Sequence, residues 1–144
     1  MSVSRTFSLG PVPDDLLKRH RAVATLDAWL VKETVPGRRI ADLFEGLKER
    51  YAQVGYPNEW QLHHQGGATG YATRDYRASS ASDEVVQDHQ AFAWNPTITG
   101  TKSEDTVLAG SGEIEILTAD SRWPNVEVEA NGARVLRPDI FVLD

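Results

Sequence analysis

Residues 60–75, WQLHHQGGATGYATRD, carry two adjacent histidines into a glycine-rich segment, with Trp60 and Tyr71 on either side. Before this stretch the apolar residues recur with a helical period, and after Gly55 they alternate. It therefore joins a helical half to a strand-rich half, and that order argues an α+β fold. Locally, EWQLHH reads as a strand and QGGATGY as a tight turn. On a strand, His63 and His64 face opposite sides and do not share one ligand.

Toward the N-terminus, Ile40, Leu43, Phe44, Leu47 and Tyr51 keep the i, i+3, i+4, i+7 spacing of a buried helical stripe, with Gly55 as its stop. PVPDDLLKRH reads as an earlier helix entry, with Asp14 and Asp15 in the first turn against the helix dipole. Leu16, Val23, Leu26 and Leu30 share one side of that helix, which ends before Pro36-Gly37. The first ten residues alternate through Val3, Arg5, Phe7 and Leu9 as a strand, closed by Gly10-Pro11.

Toward the C-terminus, residues 76–90 are polar and read as a loop. QAFAW reads as a buried strand ending at Asn95-Pro96. EDTVLAGSGEIEIL is a hairpin with Gly110-Ser111-Gly112 at its turn. VEVEANGARVL is a second, with Asn131-Gly132 supplying the positive φ angles of a type I′ turn. IFVLD closes the chain as a strand. The expectation is one domain over residues 1–144, with two N-terminal helices packed on a curved, mainly antiparallel sheet.

Composition bounds the function. A chain of 144 residues removes roughly 70% of its unfolded surface from water on folding, so its core needs no staples. It has no cysteine, which excludes disulfides, thiolate metal sites and cysteine nucleophiles. The net charge of −6, with acids and bases interspersed, disfavours nucleic acid as a partner. No apolar run approaches the roughly 20 residues of a membrane span. MSVSRTFSLG lacks the apolar region of a signal peptide. A cytoplasmic protein without nucleic-acid or membrane partners is expected.

Candidate chemistry clusters in residues 60–75 and 92–105. Imidazole suits acid–base work near neutrality, so His63 is a candidate catalytic group and His64 a candidate substrate contact; a structural histidine is the plain alternative. Gly66, Gly67 and Gly70 allow close backbone approach to a ligand, but their GGxxG spacing is not a dinucleotide fingerprint, and a tight turn explains them as well. Glu104, beside Asp105, offers a hard-metal ligand or a general base, or a solvated turn. Asn95 offers amide hydrogen bonds to a substrate, or an Asx turn. Trp60 and Trp94 offer apolar walls, or core. No HExxH or EF-hand pattern is present.

In chain order, SRTFSLG, VPG, GYPNEWQLHHQGGATGY, AFAWNPTITGTKSEDTVL, EILT and RP resemble the second half of the pita-bread metallopeptidase domain. That superfamily includes methionine aminopeptidases, Xaa-Pro dipeptidases and creatinases. The likeness runs over essentially the whole chain and is closest to an Xaa-Pro-peptidase-like branch. Active members hold two metal ions with two aspartates, one histidine and two glutamates.

Residue by residue, the resemblance implies that most of that set is missing. The first aspartate would fall before Met1. The second, three residues before the arginine of a TRT-like segment, falls on Ser2. With the first histidine of HxxGHG on His63, the metal histidine falls on Gly67. The downstream HE falls near Arg74-Asp75. The first glutamate, followed by proline, falls on Asn95. Glu104 alone matches a ligand, and His63 matches a histidine that assists the substrate. One glutamate does not satisfy two divalent cations, so no tight metal site is expected.

The resemblance implies three readings. The first is a degenerate, metal-free and non-catalytic relative of Xaa-Pro peptidases, binding a peptide or small molecule through His63, His64, Tyr71, Trp94, Asn95 and Glu104. The second is an active metallohydrolase, or a fragment of one, with manganese or cobalt as cofactor and His63 and Glu104 as catalytic groups. The third is a structural assembly domain with a vestigial pocket. Because the matched segment is one half of a pseudo-twofold domain, the expected partner is a second copy, as a homodimer, or a missing N-terminal half.

Overall fold

The computed structural model describes residues 1–112 and 114–143. Glu113, inside the expected 104–117 hairpin, and Asp144, at the end of the last expected strand, lie outside them.

Strand β1 covers Phe7–Leu9, shorter than the alternation over residues 1–10 implies. Ahead of it, Ser4 forms an isolated bridge with Glu104. Helix α1, Asp14–Glu33, starts after Pro13 with Asp14 and Asp15 in its first turn. The Thr34 hydroxyl donates to the Leu30 carbonyl, 2.6 Å away, at its end. Helix α2, Ile40–Gln53, stops before Gly55, whose φ is +91°. The expected stripes are the buried ones: Val23, Leu26 and Leu30 on α1, and Ile40, Leu43, Leu47 and Tyr51 on α2.

The strand expected over EWQLHH is a short 3-10 turn, Glu59–Gln61, followed by bends at Leu62 and His63. Tertiary contacts override the alternation. Trp60 packs edge-on against Phe44 of α2, with ring centroids 5.8 Å apart, and the Glu59 carboxylate accepts the Thr99 backbone N–H at 2.9 Å. The expected turn at QGGATGY begins instead as strand β2, Gly66–Ala68, which is buried throughout. Its neighbour is β3, Ala91–Trp94. A Cβ on Gly66 would lie 2.1 Å from the Ala93 carbonyl oxygen, so glycine is what lets the two backbones meet.

β4 (Thr97–Ile98) and β5 (Thr101–Lys102) form a small antiparallel pair. β6, Asp105–Leu108, runs antiparallel to β3, and β7, Glu115–Ile116, antiparallel to β6, giving a four-stranded sheet in the order β2-β3-β6-β7. β8 (Asn125–Ala130) and β9 (Ala133–Pro138) form the second expected hairpin, with φ of +50° at Asn131 and +74° at Gly132. β10, Phe141–Leu143, returns parallel to β1. All other strand pairs are antiparallel, as the sequence pattern implies.

The helices cover one face of the sheet. Phe92, Trp94 and Val107 join Val23, Leu26, Leu30, Leu43 and Leu47 in the main core. A buried ionic chain runs behind β6. Arg137 Nη2 lies 2.5 Å from Asp27 and 2.6 Å from Asp105, and Arg5 lies 2.8 Å from the other Asp105 oxygen. Burial pushes the Asp27 carboxyl pKa up, against the opposing pull of Arg137. None of the described helices is long and apolar enough to cross a membrane.

Candidate functional site

β3 and β6 place Trp94 opposite Asp105, and the next pair in register is Asn95 with Glu104. The Ser103 N–H donates to the Pro96 carbonyl at 3.2 Å, so the pairing continues past the named strands. Side chains alternate across a strand. Trp94 and Asp105 point toward the helices, while Asn95 and Glu104 point to the opposite face. Ser2 and Ser4 follow on that face: Ser4 bridges Glu104, and the Ser2 N–H donates to Thr106 Oγ1 at 2.8 Å.

Arg74 reaches this face from the segment after β2. Its Nη2 lies 3.0 Å from Glu104 Oε1 and its Nη1 lies 3.1 Å from Ser2 Oγ. Ser4 Oγ donates to the other Glu104 oxygen at 2.5 Å. The Arg74 and Glu104 side chains are 12% and 9% exposed, so this pair is largely shielded from water. Two buried polar atoms nearby have no partner, Arg74 Nε and Asn95 Oδ1.

His63 and His64 do not face opposite sides, because the segment is not a strand. Their rings stack with centroids 4.4 Å apart. The Gly66 N–H donates to His64 Nδ1 at 3.2 Å, which leaves the proton of neutral His64 on Nε2. His63 Nδ1 lies 2.6 Å from the His64 carbonyl and donates to it, so neutral His63 keeps its lone pair on Nε2. Burial, then the charges of His63, Arg77, Arg74 and Lys102, push the His64 pKa down to about 4. His64 is therefore a neutral donor at pH 7.

The structure thus brings His63, His64, Asn95 and Glu104 to one side of the sheet and separates the other two candidates from them. Trp94 is 1% exposed in the core, stacked on Phe92 at 5.4 Å and donating to Thr34 Oγ1 at 2.8 Å. Tyr71 is fully exposed on the loop after β2. Gly67, the position implied for a metal histidine, has no room for one: a Cβ there would lie 2.2 Å from the Tyr76 carbonyl oxygen.

Sequence reasoning missed Arg74 as a site residue. The signal was its place, near where the HE of the resembled motif falls. Four cavities among the described residues lie elsewhere. One of about 260 Å³ is lined by Arg5, Asp105, Trp123 and Arg137 among others, on the side toward which Asp105 points. Around Glu104 the surface is closed: Asn95 and Glu104 are 3% and 7% exposed, and Arg74 lies against the carboxylate.

No protein-family model and no curated protein matches the chain. Solved structures do. The Xaa-Pro dipeptidase from Bacillus anthracis superposes with a TM-score of 0.76 at 18% identity, covering 98% of this chain and 37% of that one. The X-Pro aminopeptidase from Thermotoga maritima MSB8 gives 0.75 at 20% identity, covering 98% and 37%. The N-terminal domain of a FACT complex subunit from chickpea (Cicer arietinum) gives 0.63 at 11% identity, covering 75% and 29%. The chain spans just over a third of the length of the two peptidases. It has the fold of a half-domain of the pita-bread superfamily to which the Xaa-Pro dipeptidases and prolidases belong.

Proposed function

We propose that the chain is a metal-free, non-catalytic relative of the Xaa-Pro peptidases that binds a peptide or small molecule at the Asn95–Glu104 face. The observation that carries this reading is the Arg74 guanidinium, seated between Glu104 and Ser2. A two-metal site needs several anionic oxygen donors to balance two divalent cations. Here serine, glycine and asparagine stand at three of the implied ligand positions. The one carboxylate is already paired with a fixed cation, which would also repel an incoming metal ion. Among the described residues no three His, Asp or Glu side chains are grouped to hold a metal ion. The donor set does not fit the metals of the resembled family.

What remains suits binding. His64 Nε2–H is an oriented donor and His63 Nε2 an acceptor, while Asn95 Oδ1 is a buried acceptor without a partner. The matched peptidases make a short peptide the first ligand to try. The test is metal content by mass spectrometry after incubation with manganese, cobalt or zinc and desalting. A metal content below about one tenth of stoichiometric, well under the full occupancy of a tight site, is expected. Near-stoichiometric metal that disappears with Glu104→Ala would overturn the reading and favour a metallohydrolase.

A second reading, an assembly domain, is favoured by an exposed apolar row. Phe7 and Leu9 on β1 are 60% and 81% exposed, with Val3 and Leu143 partly exposed beside them. Such a row is what a homodimer or a preceding half-domain would cover. Light scattering on the pure chain and on Phe7→Ser/Leu9→Ser tests it; a monomer in both cases removes the homodimer.

A further inference from the structure

On the side of β6 opposite Glu104, the cavity of about 260 Å³ is lined by Arg5, the connection from β7 to β8, and the end of β9. Its floor is the buried ionic chain. Arg137 is 1% exposed, and its Nε and Nη2 donate to Asp27 and Asp105 at 2.5 to 2.9 Å. A guanidinium carries five N–H donors, and these bonds occupy the one on Nε and both on Nη2. Nη1 has no partner among the described residues. It is not one of the polar atoms sealed in the interior, so it reaches an opening, and Arg137 lines this one. Both Asp105 oxygens are taken: Arg5 and the Thr118 hydroxyl donate to one at 2.8 and 2.6 Å, and Arg137 to the other. The floor therefore presents an unpaired charged donor to the cavity.

The walls are apolar and fixed. Trp123 donates its indole N–H to the Asp139 carbonyl at 2.8 Å and packs on Phe141 with ring centroids 5.4 Å apart. Ile116, Leu136 and Pro138 add aliphatic surface. An apolar cavity of about 150 Å³ holds one benzene ring, so 260 Å³ has room for a ring and one polar substituent. A preformed apolar pocket with a few oriented polar groups is the usual build of a small-molecule site. We propose that this cavity binds a small molecule about one ring in size, with its apolar body against Trp123, Ile116 and Leu136 and an acceptor oxygen on Arg137 Nη1. A carboxylate and a neutral carbonyl share that chemistry. Asp27 and Asp105 balance the charges of Arg137 and Arg5, so no net charge selects between the two, and the experiment does. Neither Glu104 nor His63 nor His64 lines the cavity, so the assignment is independent of the peptide-binding reading.

The full chain is titrated with benzoate, benzamide and toluene. The readouts are the indole N–H resonance of Trp123, assigned with Trp123→Phe, and the melting temperature. Each titration is repeated on Leu136→Trp, at a position 59% exposed, whose larger side chain fills the cavity and leaves the ionic chain intact. It is repeated as well on Arg137→Lys, which keeps the charge but not Nη1. Binding of benzoate or benzamide that shifts the Trp123 signal, is at least about tenfold tighter than that of toluene and weakens by a similar factor in Leu136→Trp supports the site. The tighter of the two identifies the ligand as anionic or neutral. Arg137→Lys is expected to erase the preference over toluene, and the toluene comparison tests the acceptor contact even where that variant does not fold. Equal binding of all three probes overturns the acceptor contact. Binding that persists in Leu136→Trp, or that leaves the Trp123 signal in place, puts the ligand elsewhere and overturns the site. No binding of any probe overturns it as well.

Discussion

Arg74 Nη2 lies 3.0 Å from Glu104 Oε1, although 30 residues separate them and no sequence pattern joins them. The pair is largely shielded, and the Ser2 and Ser4 hydroxyls take up donor and acceptor positions around it. Removing one member of such a pair leaves a desolvated charge, which costs more than the pair itself contributes. Arg74→Met is expected to lower stability by about 3 kcal/mol in urea unfolding. Arg74→Lys is expected to lose less, because it keeps the charge but not the two-pronged fork that reaches Ser2 and Glu104 together. A loss for the methionine variant within about 0.5 kcal/mol, the range of ordinary surface changes, would show that the pair does not hold the N-terminal segment.

His64 makes stability pH-dependent in a defined window. Above pH about 6.5, the ordinary histidine value, the group is neutral in folded and unfolded chains alike and contributes no slope. As pH falls toward about 4, the unfolded chain takes up a proton that the folded site refuses. Stability therefore declines across that interval, and the decline from this group is complete below about 4. His64→Asn, which keeps an acceptor for the Gly66 N–H, should flatten this part of the profile. NMR titration of the His64 ring gives the direct readout: a midpoint near 6.5 would contradict the effect of its burial and of the neighbouring cations.

Behind the sheet, Arg137 is held by Asp27 and Asp105 with all three side chains at most 2% exposed. Arg137→Met leaves Asp27 buried without a cation, while Asp105 keeps Arg5, and should cost about 3 kcal/mol. Replacing Asp27 as well, in Asp27→Leu/Arg137→Met, should recover part of that loss. Thermal unfolding of the single and double variants decides it: equal losses in both would mean that packing around Arg137, not its charge, matters.

Gly66→Ala tests the close approach of β2 to β3. The added methyl would meet the Ala93 carbonyl oxygen at 2.1 Å, at a residue whose φ of +97° already disfavours a side chain. A loss of at least about 3 kcal/mol, or failure to fold, is expected, as for overpacked cores. Near-native stability measured by urea unfolding would mean that β2 can separate from β3 without consequence.

The helices and the second hairpin were legible because each rests on local physics. The apolar stripes of α1 and α2 recur with the helical period, and Asn131-Gly132 supplies the backbone angles that its turn needs. The 60–75 stretch was misread for the opposite reason. Its alternation and its glycines look like a strand and a turn, yet Trp60 is drawn to Phe44, and the glycines serve a buried strand. The site was half legible. His63, His64, Asn95 and Glu104 stood out by residue type and motif, whereas Trp94 was a core residue whose polar neighbour points the other way.

Residue order alone determined the α+β class, the two helices and the absence of thiol chemistry. These depend on composition, on periodicity along short stretches, and on which residue type stands at each position. Only the tertiary structure decided what surrounds Glu104. Arg74, Ser2 and Ser4 converge on Glu104 because β6 lies between β3 and the N-terminal segment and the loop after β2 crosses over them. The partner of a buried charge is set by distance in space, and distance along the chain carries no record of it.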